Sequence, residues 1–207
     1  MYCIAAACAL AFFYTLVRPS PGDAQRLILT YGVIPAQFTG HAPPFPAALP
    51  VRLLTSLFLH GGWLHIGGNM LFLWVFGDNV EDAMGHGPFL LFYLVCGVAA
   101  TLIHILTHPL SSDPTIGASG AIAGVLGAYL ILYPRARVLC VMWLWIFLRF
   151  VWVPAIFFLP VWILFQLVAG LASLGGSQAG GIAFWAHIGG FLSGIMLVRV
   201  FTPAPAR

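Results

Sequence analysis

The pattern of apolar and polar positions divides the chain into six apolar segments joined by polar or glycine- and proline-rich connections. Most segments approach the roughly 20 apolar residues that a helix needs to cross the hydrocarbon core of a bilayer. The apolar stretch 138–170 exceeds one crossing, so we interpret its first part as an interfacial connection. We predict spans at about residues 2–18, 62–77, 88–107, 118–133, 150–171 and 182–201. The pattern therefore predicts an all-α, polytopic membrane protein with a single domain over residues 1–207.

The first connection, residues 18–52, is long, polar and rich in proline. Helices in bundles are usually joined by about 2–8 residues, so a connection of this length predicts an ordered or functional loop. No basic n-region accompanies the first apolar segment. We therefore interpret residues 2–18 as a retained span and not as a cleaved signal peptide.

The arginines predict an orientation in the membrane. An even number of spans puts both termini on one side, and basic residues in short connections mark the cytoplasmic face. The basic residues of the fourth connection and the tail are Arg135, Arg137, Arg199 and Arg207. This predicts cytoplasmic termini and places the beginning of the fourth span at the extracytoplasmic side. The chain contains arginine but no lysine and is rich in alanine and proline. This composition is compatible with a prokaryotic source, so we expect the protein to lie in a prokaryotic plasma membrane.

Composition supports a membrane protein and excludes several other classes. The chain is 61% hydrophobic and 6% charged, whereas about 25% of residues in a soluble domain are charged. A formal net charge of +3, dispersed along the chain, argues against nucleic-acid binding. The four cysteines lie in apolar runs without CxxC spacing, so they indicate neither a metal site nor a disulfide framework. We predict no cofactor, no metal and no nucleic-acid partner.

The fourth apolar segment is crowded with small residues. Gly117, Gly120, Gly124 and Gly127 recur at spacings of three and four, so they share one side of a helix. In lipid, small residues let a neighbouring backbone approach closely. Ser119 is at the start of this helix, where unpaired N–H groups and the helix dipole would also stabilise an oxyanion. At this point the alternative is a serine that caps or packs the helix.

A histidine in the sixth segment could serve Ser119 as a base. His187 is followed by Gly190 and Gly194, a GxxxG pattern that complements the glycine face of the fourth segment. If the two faces meet, the imidazole approaches the serine hydroxyl, which is the minimum for nucleophilic catalysis. The five acidic residues fall in loops or at helix ends, so we predict a dyad. The alternative is a buried histidine that bonds a backbone carbonyl.

Three further polar residues lie in or near the second span. Ionisable groups in a span are costly and indicate function. His65 and Asn69 are four apart and project from one face of a helix, where they could donate to a developing oxyanion. Interhelical hydrogen bonding is the alternative. A metal site built from His60, His65 and His187 is the weaker alternative, because no carboxylate or cysteine lies in the same segments.

Taken in order, these pieces resemble the rhomboid family of intramembrane serine proteases. The matching pieces are Gly117-Ala118-Ser119-Gly120, His187 followed by Gly190 and Gly194, and His65 with Asn69 preceded by His60. The resemblance covers about residues 53–201. It implies a six-transmembrane-helix rhomboid-like bundle whose fourth helix begins in mid-membrane, at the floor of a water-filled cavity.

The resemblance also implies roles by position. Ser119 is expected to be the nucleophile and His187 the general base and acid. His65 and Asn69 are expected to stabilise the oxyanion, and His60 to support the site by hydrogen bonding. Substrates are expected to be single-span or other transmembrane proteins.

Smaller expectations follow from the same resemblance. Glu81 matches a structural acidic residue near the end of the second helix, and Arg52 a structural residue at the end of the first loop. The fifth span and the loop 175–181 are candidates for a moving gate.

One position departs from the family pattern. Several rhomboids have an aromatic residue four positions after the serine, where it stacks on the catalytic histidine. Here that residue is Ala123. Another group is therefore expected to orient His187.

Three other functions compete with a serine protease. A non-catalytic relative that binds membrane-protein clients predicts loss of the serine or the histidine, and both are present. A histidine-lined transporter predicts internal repeats, which the two halves lack. A membrane metalloprotease predicts HExxH or a similar cluster, which does not occur in the sequence.

Overall fold

The structure is a computed structural model that describes residues 1–17, 20–43, 47–144, 147–174 and 182–203. Most of its regular structure is helical, with one short 3-10 turn at Ser56–Phe58. The helices are α1 (Tyr2–Leu16), α2 (Pro21–Tyr31), α3 (Pro35–Phe38), α4 (Leu49–Thr55), α5 (Trp63–Met84), α6 (His86–Thr107), α7 (Ser119–Leu132), α8 (Ala155–Ser173) and α9 (Phe184–Phe201). Two strands, β1 (Arg137–Leu144) and β2 (Phe147–Pro154), lie between α7 and α8.

Helix α7 is the centre of the bundle. Every residue from Gly120 to Tyr129 is buried, and the helix packs against α5, α6 and α9. Its 14 residues are fewer than the roughly 20 that a full crossing requires. Ala118 and Gly120, on either side of the first residue Ser119, are buried, so α7 begins inside the bundle.

Glycines bring the backbones of α7 and α9 into contact. A Cβ atom added at Gly190 would lie 2.0 Å from the Gly120 carbonyl oxygen, and one added at Gly194 would lie 1.9 Å from the Gly124 carbonyl oxygen. No side chain fits at these distances. The two glycine faces thus lie against each other, as their spacing predicts.

Among the described residues, three helices are both long and apolar enough to cross a membrane, namely α6, α8 and α9. Helices α1 and α7 are apolar but shorter. The exposed side chains of α8 are large and apolar, as Phe157, Val161 and Phe165 illustrate. These features are those of an integral membrane protein.

The long first connection is ordered where the structure describes it. Helices α2, α3 and α4 occupy most of it. The guanidinium of Arg52 is fully buried and donates hydrogen bonds to the carbonyls of Gly32 at 2.7 Å and Leu29 at 3.1 Å, and to Oε1 of Gln37. The side chain at the end of the loop thus ties three of its segments together.

The prediction of an all-α fold is wrong at one place. The sequence predicts an interfacial connection and the start of the fifth span over residues 138–154, but Arg137–Leu144 and Phe147–Pro154 form antiparallel strands in which Val138 pairs with Val153 and Val141 with Phe150. The segment is rich in β-branched and aromatic residues, which favour strands. Helix α8 consequently begins at Ala155, directly after Pro154, and not near residue 150. The loop 175–181, expected to be part of a gate, lies outside the described residues.

Candidate active site

The backbone before α7 sets the position of Ser119. Gly117 has a φ of +124°, a conformation that favours glycine, and its N–H donates to the Ser56 carbonyl at 2.8 Å. The chain turns there and enters α7 at Ser119. The N–H groups of the first turn of a helix have no intrahelical acceptor, so the serine lies among backbone donors.

The structure brings Ser119 and His187 together. His187 is in the first turn of α9, and its Nε2 lies 2.8 Å from Oγ of Ser119. This distance is that of a hydrogen bond. The close packing of α7 on α9 through Gly190 and Gly194 makes the approach possible, because it sets the distance between the two helix axes.

Two residues of α8 contact His187 and were not anticipated from the sequence. Oε1 of Gln166 lies 2.8 Å from Nδ1 of His187. The ring of Trp162 lies 6.0 Å from the imidazole, centroid to centroid, at an interplanar angle of 35°. A signal for Gln166 was available, since it is an amide in an otherwise apolar helix. At Ala123 the chain has no ring, and the contacts to His187 come from α8 instead.

His65 and Asn69 lie on α5 and approach the turn that precedes Ser119. A Cβ atom added at Gly117 would lie 2.6 Å from Nε2 of His65 and 3.7 Å from Nδ2 of Asn69. Asn69 is buried, and among the described residues its Nδ2 has no hydrogen-bond partner. A buried amide donor without a partner is costly. This nitrogen lies near the turn at Gly117 that precedes Ser119, and both Asn69 and Ser119 line the same cavity.

His60 is in the segment between the 3-10 turn and α5 and is almost fully buried. Its Nδ1 lies 3.1 Å from the Phe58 carbonyl oxygen, and its ring lies edge-on to that of His65 at a centroid distance of 5.1 Å. His60 therefore contacts His65 and not Ser119.

A cavity of about 860 Å³ lies beside these residues. Its wall includes Ser119, His187, His65, Asn69 and Trp162. The described residues contain no group of three or more His, Cys, Asp or Glu side chains that could hold a metal ion. The alternative of a metal site at His60, His65 and His187 thus lacks a ligand set.

Comparison with known proteins identifies the family. The model of the Rhomboid domain matches residues 49–204, which include α5 to α9 and every residue of the candidate site. The chain belongs to the rhomboid family.

Several individual rhomboids are similar to this chain. Rhomboid protein 1, mitochondrial, of Saccharomyces cerevisiae is 30% identical over 160 residues, which cover 70% of this chain and 40% of that protein. Presenilin-associated rhomboid-like protein, mitochondrial, of Bos taurus is 30% identical over 185 residues, or 84% of this chain and 42% of that protein. Rhomboid protease GluP of Bacillus subtilis is 46% identical over 79 residues, or 38% of this chain and 15% of that protein.

The matched segments cover less than half of each of these relatives. Two of the three are mitochondrial by name. This conflicts with the expectation of a prokaryotic plasma membrane, which rested on composition. What the comparisons support is an integral membrane protein of the rhomboid family.

Proposed function

We propose that this rhomboid is an intramembrane serine endopeptidase that cleaves transmembrane segments of membrane proteins. The observation that carries the proposal is the 2.8 Å distance between Oγ of Ser119 and Nε2 of His187, on the wall of a cavity of about 860 Å³. A serine hydroxyl is a weak nucleophile at its free pKa and becomes effective when a base takes its proton. The similarity to a protein named a protease agrees with this chemistry.

In the first step, Oγ of Ser119 attacks the carbonyl carbon of the scissile peptide bond. The hydroxyl proton passes to Nε2 of His187, and the carbonyl oxygen takes the electron pair of the C=O π bond. The resulting oxyanion accepts hydrogen bonds from the Ser119 backbone N–H and from the His65 and Asn69 side chains. Preorganised donors of this kind lower the barrier because they require no reorganisation when the charge develops.

In the second step, His187 returns the proton to the nitrogen of the leaving amine as the C–N bond breaks. The acyl group stays on Oγ of Ser119 as an ester. Water then attacks this ester while His187 accepts a proton from it. The bond between the acyl carbon and Oγ breaks, His187 returns the proton to Oγ, and the second product leaves as a carboxylic acid. The cycle needs no cofactor and no metal.

The membrane setting follows from the same proposal. The apolar helices cross the bilayer six times, and the cavity opens to the extracytoplasmic side. Substrates are single-span or other transmembrane proteins. The outer surface of the helical bundle contacts lipid, as the exposed apolar side chains of α8 indicate.

A cleavage assay with a single-span substrate in liposomes tests the proposal. The wild-type protein should cleave the substrate, and Ser119→Ala and His187→Ala should each abolish cleavage, because the dyad acts as a unit. Ser193→Ala is a matched control. The Ser193 hydroxyl donates to the Gly189 carbonyl of its own helix, so cleavage should persist.

Equal cleavage by wild type and Ser119→Ala would contradict the proposal. Capture of the substrate without cleavage by the wild-type protein would instead support a non-catalytic client-binding protein. Loss of cleavage in a chelator would point to a metal mechanism.

A further inference from the structure

Helix α8 carries one amide side chain among apolar residues. Gln166 is buried, with 7% of its surface exposed, although most of α8 is exposed and apolar. A polar group in an apolar environment is costly unless it is hydrogen-bonded. Its Oε1 lies 2.8 Å from Nδ1 of His187, so this amide is directed at the histidine of the proposed dyad.

The direction of this hydrogen bond determines what His187 can do. A carbonyl oxygen can only accept, so Nδ1 must carry a proton and donate it to Oε1. In a neutral imidazole the other nitrogen, Nε2, then has a free lone pair. That lone pair is 2.8 Å from Oγ of Ser119. The opposite tautomer would have a proton on Nε2 and could not accept the serine proton.

We propose that Gln166 is a positioning residue that holds His187 in the tautomer and orientation needed to accept the Ser119 proton; this rests on the function proposed above. In serine proteases with a triad, a carboxylate at the same ring nitrogen has this task. The Gln166 amide orients the imidazole in the same way but carries no charge. A neutral partner avoids the cost of a charged side chain inside a membrane protein. With Ala123 in place of a stacking ring, the Gln166 bond and the Trp162 ring are the contacts that fix the imidazole.

The proposal links the base to the position of α8. Gln166 and Trp162 both lie on this helix, and α8 packs mainly on α9 with few buried side chains of its own. The imidazole belongs to α9, but its Nδ1 partner belongs to α8. A displacement of α8 away from α9 would therefore remove the bond that orients the base.

Two substitutions at one position test this role. Gln166→Met keeps a side chain of similar length and removes the acceptor, so kcat should fall about tenfold to a hundredfold with little change in KM. That range is taken from metal sites, where it is the loss seen when the partner that orients a ligating histidine is removed. Gln166→Glu keeps the acceptor and should retain most of the activity at neutral pH. Val168→Met is the control, because Val168 lies two residues away on α8 and is 60% exposed.

The pH profile separates positioning from a merely structural role. Among the residues that the structure describes, the titratable side chains close enough to interact with His187 are His65 on α5 and His104 on α6, and they are the same in all variants. A carboxylate at position 166 stabilises the imidazolium. The acid limb of kcat/KM should therefore shift to higher pH in Gln166→Glu, and it should not shift in Val168→Met.

The outcomes distinguish this inference from the proposed function. If the wild-type protein does not cleave, or Ser119→Ala cleaves equally, the serine-protease proposal fails. If the wild-type protein cleaves and Gln166→Met matches it in kcat, Gln166 does not position the base. Equal losses of activity and thermal stability in Gln166→Met and Gln166→Glu, with an unchanged acid limb, would show a structural role and also overturn the inference.

Discussion

At the scale of residues, the proposed chemistry depends on two polar atoms, Oγ of Ser119 and Nδ2 of Asn69. Within the part of the chain that the structure describes, Oγ of Ser119 forms its hydrogen bond with Nε2 of His187, a group that can take its proton, at 2.8 Å. Nδ2 of Asn69 is buried and has no partner among the described residues, although it is near the turn at Gly117. Stability alone would favour an apolar side chain there. Under the proposed function, the unpaired amide is a donor for a charge that forms only during the reaction.

Substitution of Asn69 tests this explanation. Asn69→Leu should lower kcat by about a hundredfold, the lower end of what the loss of one oxyanion donor costs, and should leave KM nearly unchanged. The loss of kcat should be smaller than that in Ser119→Ala, because the His65 side chain and the Ser119 backbone N–H would still donate hydrogen bonds to the oxyanion. Steady-state kinetics on the single-span substrate measure both constants.

Asn79 provides the control for this prediction. It is on the same helix, is exposed and bonds the Tyr129 hydroxyl at 3.3 Å, far along α5 from the cavity. Asn79→Leu should have a normal kcat. An Asn69→Leu variant with wild-type kcat would exclude Asn69 from the oxyanion site.

The sequence was informative about polar residues that are ionisable or that form a motif. Ser119, His187, His65 and Asn69 could be selected because such residues are rare in apolar spans. Gln166 could not be selected from the sequence in the same way, because a single uncharged amide does not form a motif. Its partner, His187, is 21 residues away on another helix. Only packing shows that the two meet.

At the scale of elements, the packing of α7 on α9 depends on glycine. Cβ atoms at Gly190 and Gly194 would collide with backbone carbonyl oxygens of α7 at 2.0 Å and 1.9 Å. Backbone cannot rotate away as a side chain can, so the helices would have to separate. Separation would lengthen the distance between Ser119 and His187.

Gly194→Ala should therefore lower both stability and activity. We expect a destabilisation of about 1–3 kcal/mol, as for overpacked cores, and a lower kcat because the two reactive groups move apart. Thermal unfolding in detergent and the cleavage assay measure the two effects. The site of the change is two turns from His187, so a loss of kcat would report on helix packing.

Gly67→Ala is the matched control for Gly194→Ala. Gly67 is also in a helix, but a Cβ atom there meets nothing within 4 Å. Alanine has the higher helix propensity, so stability should be unchanged or slightly raised. If Gly194→Ala unfolds at the wild-type temperature with normal activity, close contact of α7 and α9 is not required.

The sequence predicted helices but not the hairpin, and the reason is physical. Long apolar segments such as that of α6 have few alternatives to a helix in lipid, where every backbone group must be paired. The stretch 138–154 is equally apolar, so hydrophobicity alone did not separate it from the fifth span. Its exposed face, with Leu139, Val141, Phe150 and Trp152, lacks the polar alternation that marks a half-solvated strand.

At the scale of the whole molecule, the site lies inside a helical bundle whose outer surface is apolar. The cavity of about 860 Å³ has room for an extended segment and for water. A substrate helix in lipid has its peptide groups internally paired. If this protein is the protease proposed above, several of these bonds must break before Ser119 can attack, so that one carbonyl is exposed in the cavity. The cost of this local unwinding becomes part of the barrier for any membrane substrate.

Helix stability in the substrate should therefore control the rate. Of two single-span substrates that differ only near the cleaved bond, one with Gly-Pro there should be cleaved at least about tenfold faster than one with Leu-Leu. A difference of that size is ~1.4 kcal/mol, well below the roughly 3 kcal/mol by which proline alone disfavours a helix interior. Rates in liposomes at low substrate concentration give kcat/KM for each.

Short peptides with the same two sequences serve as the control, because they are already unfolded in water. The advantage of Gly-Pro should disappear or reverse when no helix has to unwind. If the advantage were equally large in the peptides, it would reflect recognition of the side chains in the cavity. If the two membrane substrates were cleaved at equal rates, unwinding would not contribute to the barrier, and the enzyme would have to take its substrates from segments that are already extended.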